Sequence, residues 1–104
     1  MEFTIIECPN SYEKILRGGN VIRVIGRGRQ LSPGHPAGNQ QRENQLPILN
    51  FLTKNTNIPF SHCLQNGHIQ YLGQYRFNNM NKKITQEGFQ YFEFEFYRNS
   101  YTPV

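Results

Sequence analysis

The residues best equipped for chemistry crowd into positions 27–42, the run RGRQLSPGHPAGNQQR. Arg27, Arg29 and Arg42 carry guanidinium forks that match phosphate oxygens, and a glycine-rich backbone bares N–H groups of the same use. Gln30, Ser32, His35, Asn39 and Gln40 set donors beside acceptors, as the reading of a base edge requires. Pro33 and Pro36 stiffen the excursion, so that less entropy is lost on inserting it into a groove. The one large aliphatic residue is Leu31, so the run cannot pack a core. An ordinary solvated loop is the plainer alternative, yet a loop this long in a chain of 104 residues is uncommon unless it has a task. Lys82 and Lys83, expected at the tip of a later connection, add two cations. The expectation is a loop that reads nucleic acid.

Other chemistries find little support. Gly26, Gly28, Gly34 and Gly38 make neither GxGxxG nor GxxxxGKS, which argues against a nucleotide cofactor. His62, Cys63 and His68 flank one turn, but strand alternation sends His62 and Cys63 to opposite faces and no fourth ligand is evident, so no metal site is expected. A nucleophile at Cys63 or Ser61 would need a base and an orienting acid within reach. Glu93 and Glu95 share a strand face and read as its solvated side in preference to an acid/base pair. All seven acidic residues are Glu, and the absence of Asp removes the usual holder of catalytic divalent cations. The net charge of +4 gives a mild field that favours a polyanion. No catalytic residue and no cofactor is therefore expected.

The elements around the loop follow from pattern. EFTIIEC reads as a first strand ended by Pro9, and NSYEKILRGG as a short helix capped by Asn10 or Ser11 and stopped by Gly18. NVIRVIG is a second strand. After the loop a helix starts near Asn44, with Pro47 in its first turn and Leu46, Ile48, Leu49 and Leu52 forming its apolar face. IPFSHCL and HIQYLGQYRF flank Asn66-Gly67, the strongest hairpin signal in the chain. NNMNKKITQE is a looser connection, and in GFQYFEFEFYR the residues Phe92, Phe94 and Phe96 alternate with polar ones in a closing strand.

These elements predict an α+β fold: a small curved β-barrel or sheet of about five strands with one or two packed helices. One domain over 1–98 is expected, with 99–104 as a tail or linker. No run approaches the roughly 20 apolar residues of a membrane span, and no basic-then-apolar leader opens the sequence, so an intracellular, cytoplasmic location with no membrane partner is expected.

Read in order, VIGRGRQLSPGHPAGNQ, ENQLPILNFLTKNTNIPF, YLGQYRF and EGFQYFEFEFYR resemble the SRA (SET and RING associated, YDG-type) domains of the PUA-like superfamily, as a minimal or divergent member. Val24-Ile25-Gly26 stands at the family's Tyr-Thr-Gly-like turn, Tyr71-Leu72-Gly73 at its Tyr-Asp-Gly signature, and residues 88–94 at its final Gly-Phe-aromatic strand. The resemblance spans residues 21–98 and rests on order and spacing more than on identities. It implies a reader of modified cytosine in double-stranded DNA, working by base flipping, with Arg29, His35, Asn39 and Arg42 in an inserting loop. It further implies a restriction-type setting, with a nuclease or motor domain in cis or trans. The chain departs from the pattern at Val24 and Leu72, and it has no Asp to read the flipped base. Tyr12, Asn20, His35 and Asn39 are the candidates to line a pocket in its place. A PUA-like RNA-binding domain and a small nuclease are the alternatives.

Overall fold

In the computed structural model, which describes residues 14–32, 35–63 and 66–103, the chain forms a five-stranded antiparallel sheet curled into a half-barrel with one α-helix. The strands are β1 (Lys14–Leu16), β2 (Val21–Ile25), β5 (Ile58–Cys63), β6 (Ile69–Ile84) and β7 (Gln90–Arg98), in the order β1-β2-β7-β6-β5. Two further strands, β3 (Gln30–Ser32) and β4 (His35–Pro36), pair with each other inside the long loop. A 3-10 turn at Arg42–Gln45 leads into α1 (Leu46–Lys54), with Pro47 in its first turn, where a missing N–H costs nothing. The expected α+β class, the sheet of five strands and the packed helix are all present.

The core lies between one sheet face and α1. Ile22, Val24, Ile58, Phe60, Tyr75, Phe94, Phe96 and Leu52 form one buried cluster. Phe60 stacks on Tyr75 at 5.0 Å and meets Phe96 edge-on at 4.8 Å. The helix presents Leu52 with Ile48 and Phe51, whereas Leu46, expected on this face, is exposed. The stripe runs Gln45, Ile48, Leu52, a spacing of three then four, so a glutamine takes the place expected for Leu46.

Three further expectations are corrected. Of the residues read as a helix at NSYEKILRGG, the described ones form a strand at Lys14–Leu16, paired with Val21–Arg23, and a single 3-10 turn at Arg17–Gly19. The positive φ of Arg17, Gly18 and Gly19 turns the chain at once, which a continuing right-handed α-helix does not permit. Lys82 and Lys83 are not at a tip, because β6 runs on to Ile84, pairing Lys82 with Phe92 and Lys83 with Tyr91. The turn sits beyond them, closed by Thr85 and by Gly88 at φ 91°. Finally, Glu93 and Glu95 are not solvated, at 5% and 8% exposed. Their strand is central in the sheet, and Glu95 is bonded to Arg23 from β2 and Asn78 from β6.

The expected first strand, EFTIIEC, lies outside the described residues. Asn99 and Tyr101, just past β7, are hydrogen-bonded to Gln74 and Arg98.

Candidate nucleic-acid interface

Antiparallel pairing fixes what stands at each end of the sheet. Ile25 ends β2 opposite Glu93, and Ile84 ends β6 opposite Gln90, so the long loop, the 85–88 turn and both lysines share one end. The turn at 17–20, Arg98 and the hairpin at Asn66-Gly67 mark the other.

The base of the loop is held by two buried glutamines. Gln40 donates from Nε2 to the Gly26 carbonyl (3.0 Å) and accepts the Phe92 N–H on Oε1 (3.0 Å). Gln45 accepts the Arg27 N–H (2.8 Å) and donates to the Arg27 and Gln41 carbonyls (2.6 and 3.2 Å). Each amide thus does for a loop backbone what a neighbouring strand does for a ladder. Glycine makes room for them: a Cβ on Gly26 would lie 2.6 Å from Gln45 Oε1, and one on Gly28 would lie 2.6 Å from Gln40 Cγ. Gln90 completes the seam, its N–H donating to Asn39 Oδ1 (2.7 Å) and its Nε2 to the Gln40 carbonyl (2.9 Å).

Beyond this seam Arg27, Arg29 and Arg42 are exposed, and among the described residues none of their guanidinium groups is in an ion pair. The Arg29 stem lies along Gly38, 3.3 Å from where a Cβ would stand, and the Arg29 carbonyl accepts the Ala37 N–H. Lys82 and Lys83 add two exposed charges at the same end, leaving the strand on opposite faces. The arrangement is a hydrogen-bonded seam with a cationic rim, suited to contacts with phosphates.

Not every predicted residue joins this rim. Gln40 is 1% exposed and bonds the Gly26 carbonyl and the Phe92 N–H, so its side chain is turned to the interior and not to a ligand. Asn39 is exposed, but its carbonyl oxygen is committed to Gln90, which leaves its amide nitrogen to donate. Asn20 stands at the opposite end of the sheet from Asn39, with Oδ1 accepting from Arg98 Nη1 (3.1 Å). Tyr12 and the side chains of Gln30, Ser32 and His35 lie outside the described residues. Gln45 escaped the sequence reading, although Gly26 and Gly28 were the signal that another group approaches the backbone closely.

At the far end Arg98 organises the signature segment. A register shift in β6 between the partners of Phe60 and Ser61 leaves Leu72 unpaired, and the Leu72 carbonyl accepts from Arg98 Nη2 (3.2 Å). The same nitrogen donates to Tyr75 Oη (3.1 Å), whose own proton goes to the Gly19 carbonyl. Burial raises the Tyr75 phenol above its ordinary range, against the lowering pull of Arg98.

The chain is similar in structure to an SRA domain of SUVH5 solved with methylated CHH DNA, with a TM-score of 0.69 at 19% identity over 96% of this chain and 65% of that one. Against SUVH5 SRA bound to fully hydroxymethylated CG DNA the TM-score is 0.71 at 19% identity, over 96% of this chain and 66% of that one. This is an SRA-like fold. KRYPTONITE in complex with mCHG DNA and SAH also matches, with a TM-score of 0.66 at 15% identity over 97% of this chain and 23% of the longer one. The chain thus spans just under two thirds of those SUVH5 chains. No protein-family model matches the sequence, and no curated protein matches it.

Proposed function

We propose that this chain is a non-catalytic module that binds double-stranded DNA carrying a modified cytosine, with the 27–42 loop as its principal contact. The observation that carries the proposal is the exposed set Arg27, Arg29 and Arg42 on a base locked by Gln40 and Gln45, in a fold whose solved neighbours hold methylated or hydroxymethylated DNA. Phosphate contacts from the rim would fix register, and the loop's tip would enter a groove. Recognition would proceed by flipping the modified base, whose extrusion costs a few kcal/mol that stacking and inserted side chains offset. With no Asp in the chain, amide and backbone groups would read its edge. The restriction-type setting, a nuclease or motor partner and an intracellular location rest on the sequence reading alone.

A duplex with 2-aminopurine beside the modified cytosine tests the mechanism. Flipping unstacks the probe, so fluorescence rises on binding, and a mismatched target binds more tightly because less pairing is lost. Flat fluorescence with no mismatch preference would mean that the duplex is read through its grooves. Appearance of cut strands in the presence of Mg²⁺ would contradict the non-catalytic assignment.

A further inference from the structure

The sheet face turned away from α1 carries a second group of residues, at the end far from the loop. Tyr71 is 58% exposed and Ile69 69% exposed, both early in β6. Gln74 Nε2 donates to Tyr71 Oη (3.0 Å), which sets the phenol on the face of Gln74 and, two residues on, of Arg76. Arg76 pairs in register with Tyr97, its guanidinium carbon 5.6 Å from the ring centre. Tyr97 meets Tyr101 edge-on at 5.7 Å, and Arg17 Nη1 donates to Tyr101 Oη (2.9 Å). Arg76, Tyr97, Tyr101 and Arg17 thus form one connected group, and Tyr71 stands on the same face beside Gln74.

Two features separate this strip from an ordinary polar face. The rings are held in place: Tyr71 accepts a hydrogen bond from Gln74, Tyr101 accepts one from Arg17, and Tyr97 lies between the Arg76 guanidinium and the Tyr101 ring. Arg76 is immobilised as well, donating to the carbonyls of Arg98, Asn99 and Tyr101. Rings held this way lose little conformational freedom when a ligand stacks on them. In addition, Arg17, at φ 52°, is the one non-glycine residue with positive φ among the described residues. Such an outlier persists only where its surroundings hold it, and here it keeps an exposed cation on the rim of the strip.

The chemistry selects the ligand. Among the described residues the carboxylate that touches the strip is Glu95, which is buried and already bonded to Arg23 and Asn78, so the exposed charge they present there is positive. That disfavours an alkylammonium group, which an aromatic cluster would otherwise suit. An acidic peptide would engage the arginines and leave the rings unused. A duplex hides the faces of its bases. We propose that this strip binds single-stranded nucleic acid, with bases stacked on Tyr71 and its neighbours and phosphate held by Arg17. The site is separate from the loop and stands independently of the duplex reading.

The test uses the full chain and fluorescence anisotropy with labelled oligo-dT, oligo-rU and a methylated duplex. Tyr71→Ala leaves the core untouched, and Arg17→Gly preserves the positive φ. The wild type is expected to bind a single strand at moderate salt. Tyr71→Ala should weaken that binding about tenfold while Tyr71→Phe retains it. Arg17→Gly should lower the slope of log affinity against log salt by about 0.7. Duplex affinity should be unchanged in both Tyr71 variants, and Arg17→Gly should weaken duplex binding less than it weakens single-strand binding. A preference between dT and rU would identify the strand. Absence of single-strand binding, equal binding in Tyr71→Ala and the wild type, or equally tight binding of a poly-glutamate peptide would overturn the proposal.

Discussion

Gln45 shows how one side chain can organise a functional loop without touching its ligand. Replacing it by leucine keeps the volume but strips the Gln45 partner from the Arg27 N–H and the Arg27 carbonyl, while the Gln41 carbonyl keeps the Asn44 N–H. Each orphaned group costs about 1–3 kcal/mol, so Gln45→Leu is expected to lower stability by at least about 2 kcal/mol in urea denaturation. Glu95 makes a pH-dependent contribution. Burial favours its neutral form, but hydrogen bonds from Arg23 and Asn78 and the nearby guanidinium charge outweigh this and hold the carboxyl below its reference value of 4.5. The folded chain then binds fewer protons than the unfolded one in acid, so the stabilisation is full above the unfolded value and is lost as pH falls through the folded one. Melting temperatures between pH 6 and pH 3 should therefore fall less steeply for Glu95→Gln than for the wild type. On the rim, Arg29→Ala and Arg42→Ala should each weaken duplex binding and reduce the salt slope by about one. Unchanged slopes in both would remove the loop from the interface.

Among the elements, β7 and the loop seam carry the clearest expectations. Phe94 is buried between Val24 and Met80 in the registers of β2 and β6, and Phe94→Ala should cost about 3–5 kcal/mol. Gly26→Ala would press a Cβ against Gln45 Oε1 and to 3.2 Å from the Phe92 carbonyl, so it should disturb the loop seam as well as stability. Faster hydrogen exchange at Arg27 and Phe92 than in the wild type would report this. The sequence made β2, the Asn66-Gly67 hairpin, α1 and β7 legible because each has a strong local pattern. It concealed β1, since Lys14–Leu16 is a strand only through pairing with β2, and Arg17 gives no local sign of its positive φ. Lys82 and Lys83 read as a tip because polar residues dominate NNMNKK, although partners in β7 hold them in the strand. Gln40, Gln45 and Glu95 are polar residues buried by partners remote in sequence, and composition alone assigns such residues to the surface. The loop's position and its arginines were legible; the division between Gln40 inside and Arg29 outside was not.

At the scale of the whole molecule, the half-barrel places its cationic loop and both β6 lysines at one end and the Arg98 cluster and tyrosine strip at the other. A net charge of +4 on so small a chain supplies attraction to any polyanion, so affinity for DNA alone decides little. Discrimination decides more. The direct measurement is a titration at fixed salt of matched duplexes with cytosine, 5-methylcytosine or 5-hydroxymethylcytosine at one position, beside single-stranded RNA of the same sequence. One modified duplex should bind at least about fivefold more tightly than the unmodified one, a difference of roughly 1 kcal/mol, and the preference should shrink in Arg29→Ala. Equal affinity for all three duplexes, or tighter binding of the RNA than of every duplex, would contradict the assignment of this chain as a reader of modified cytosine.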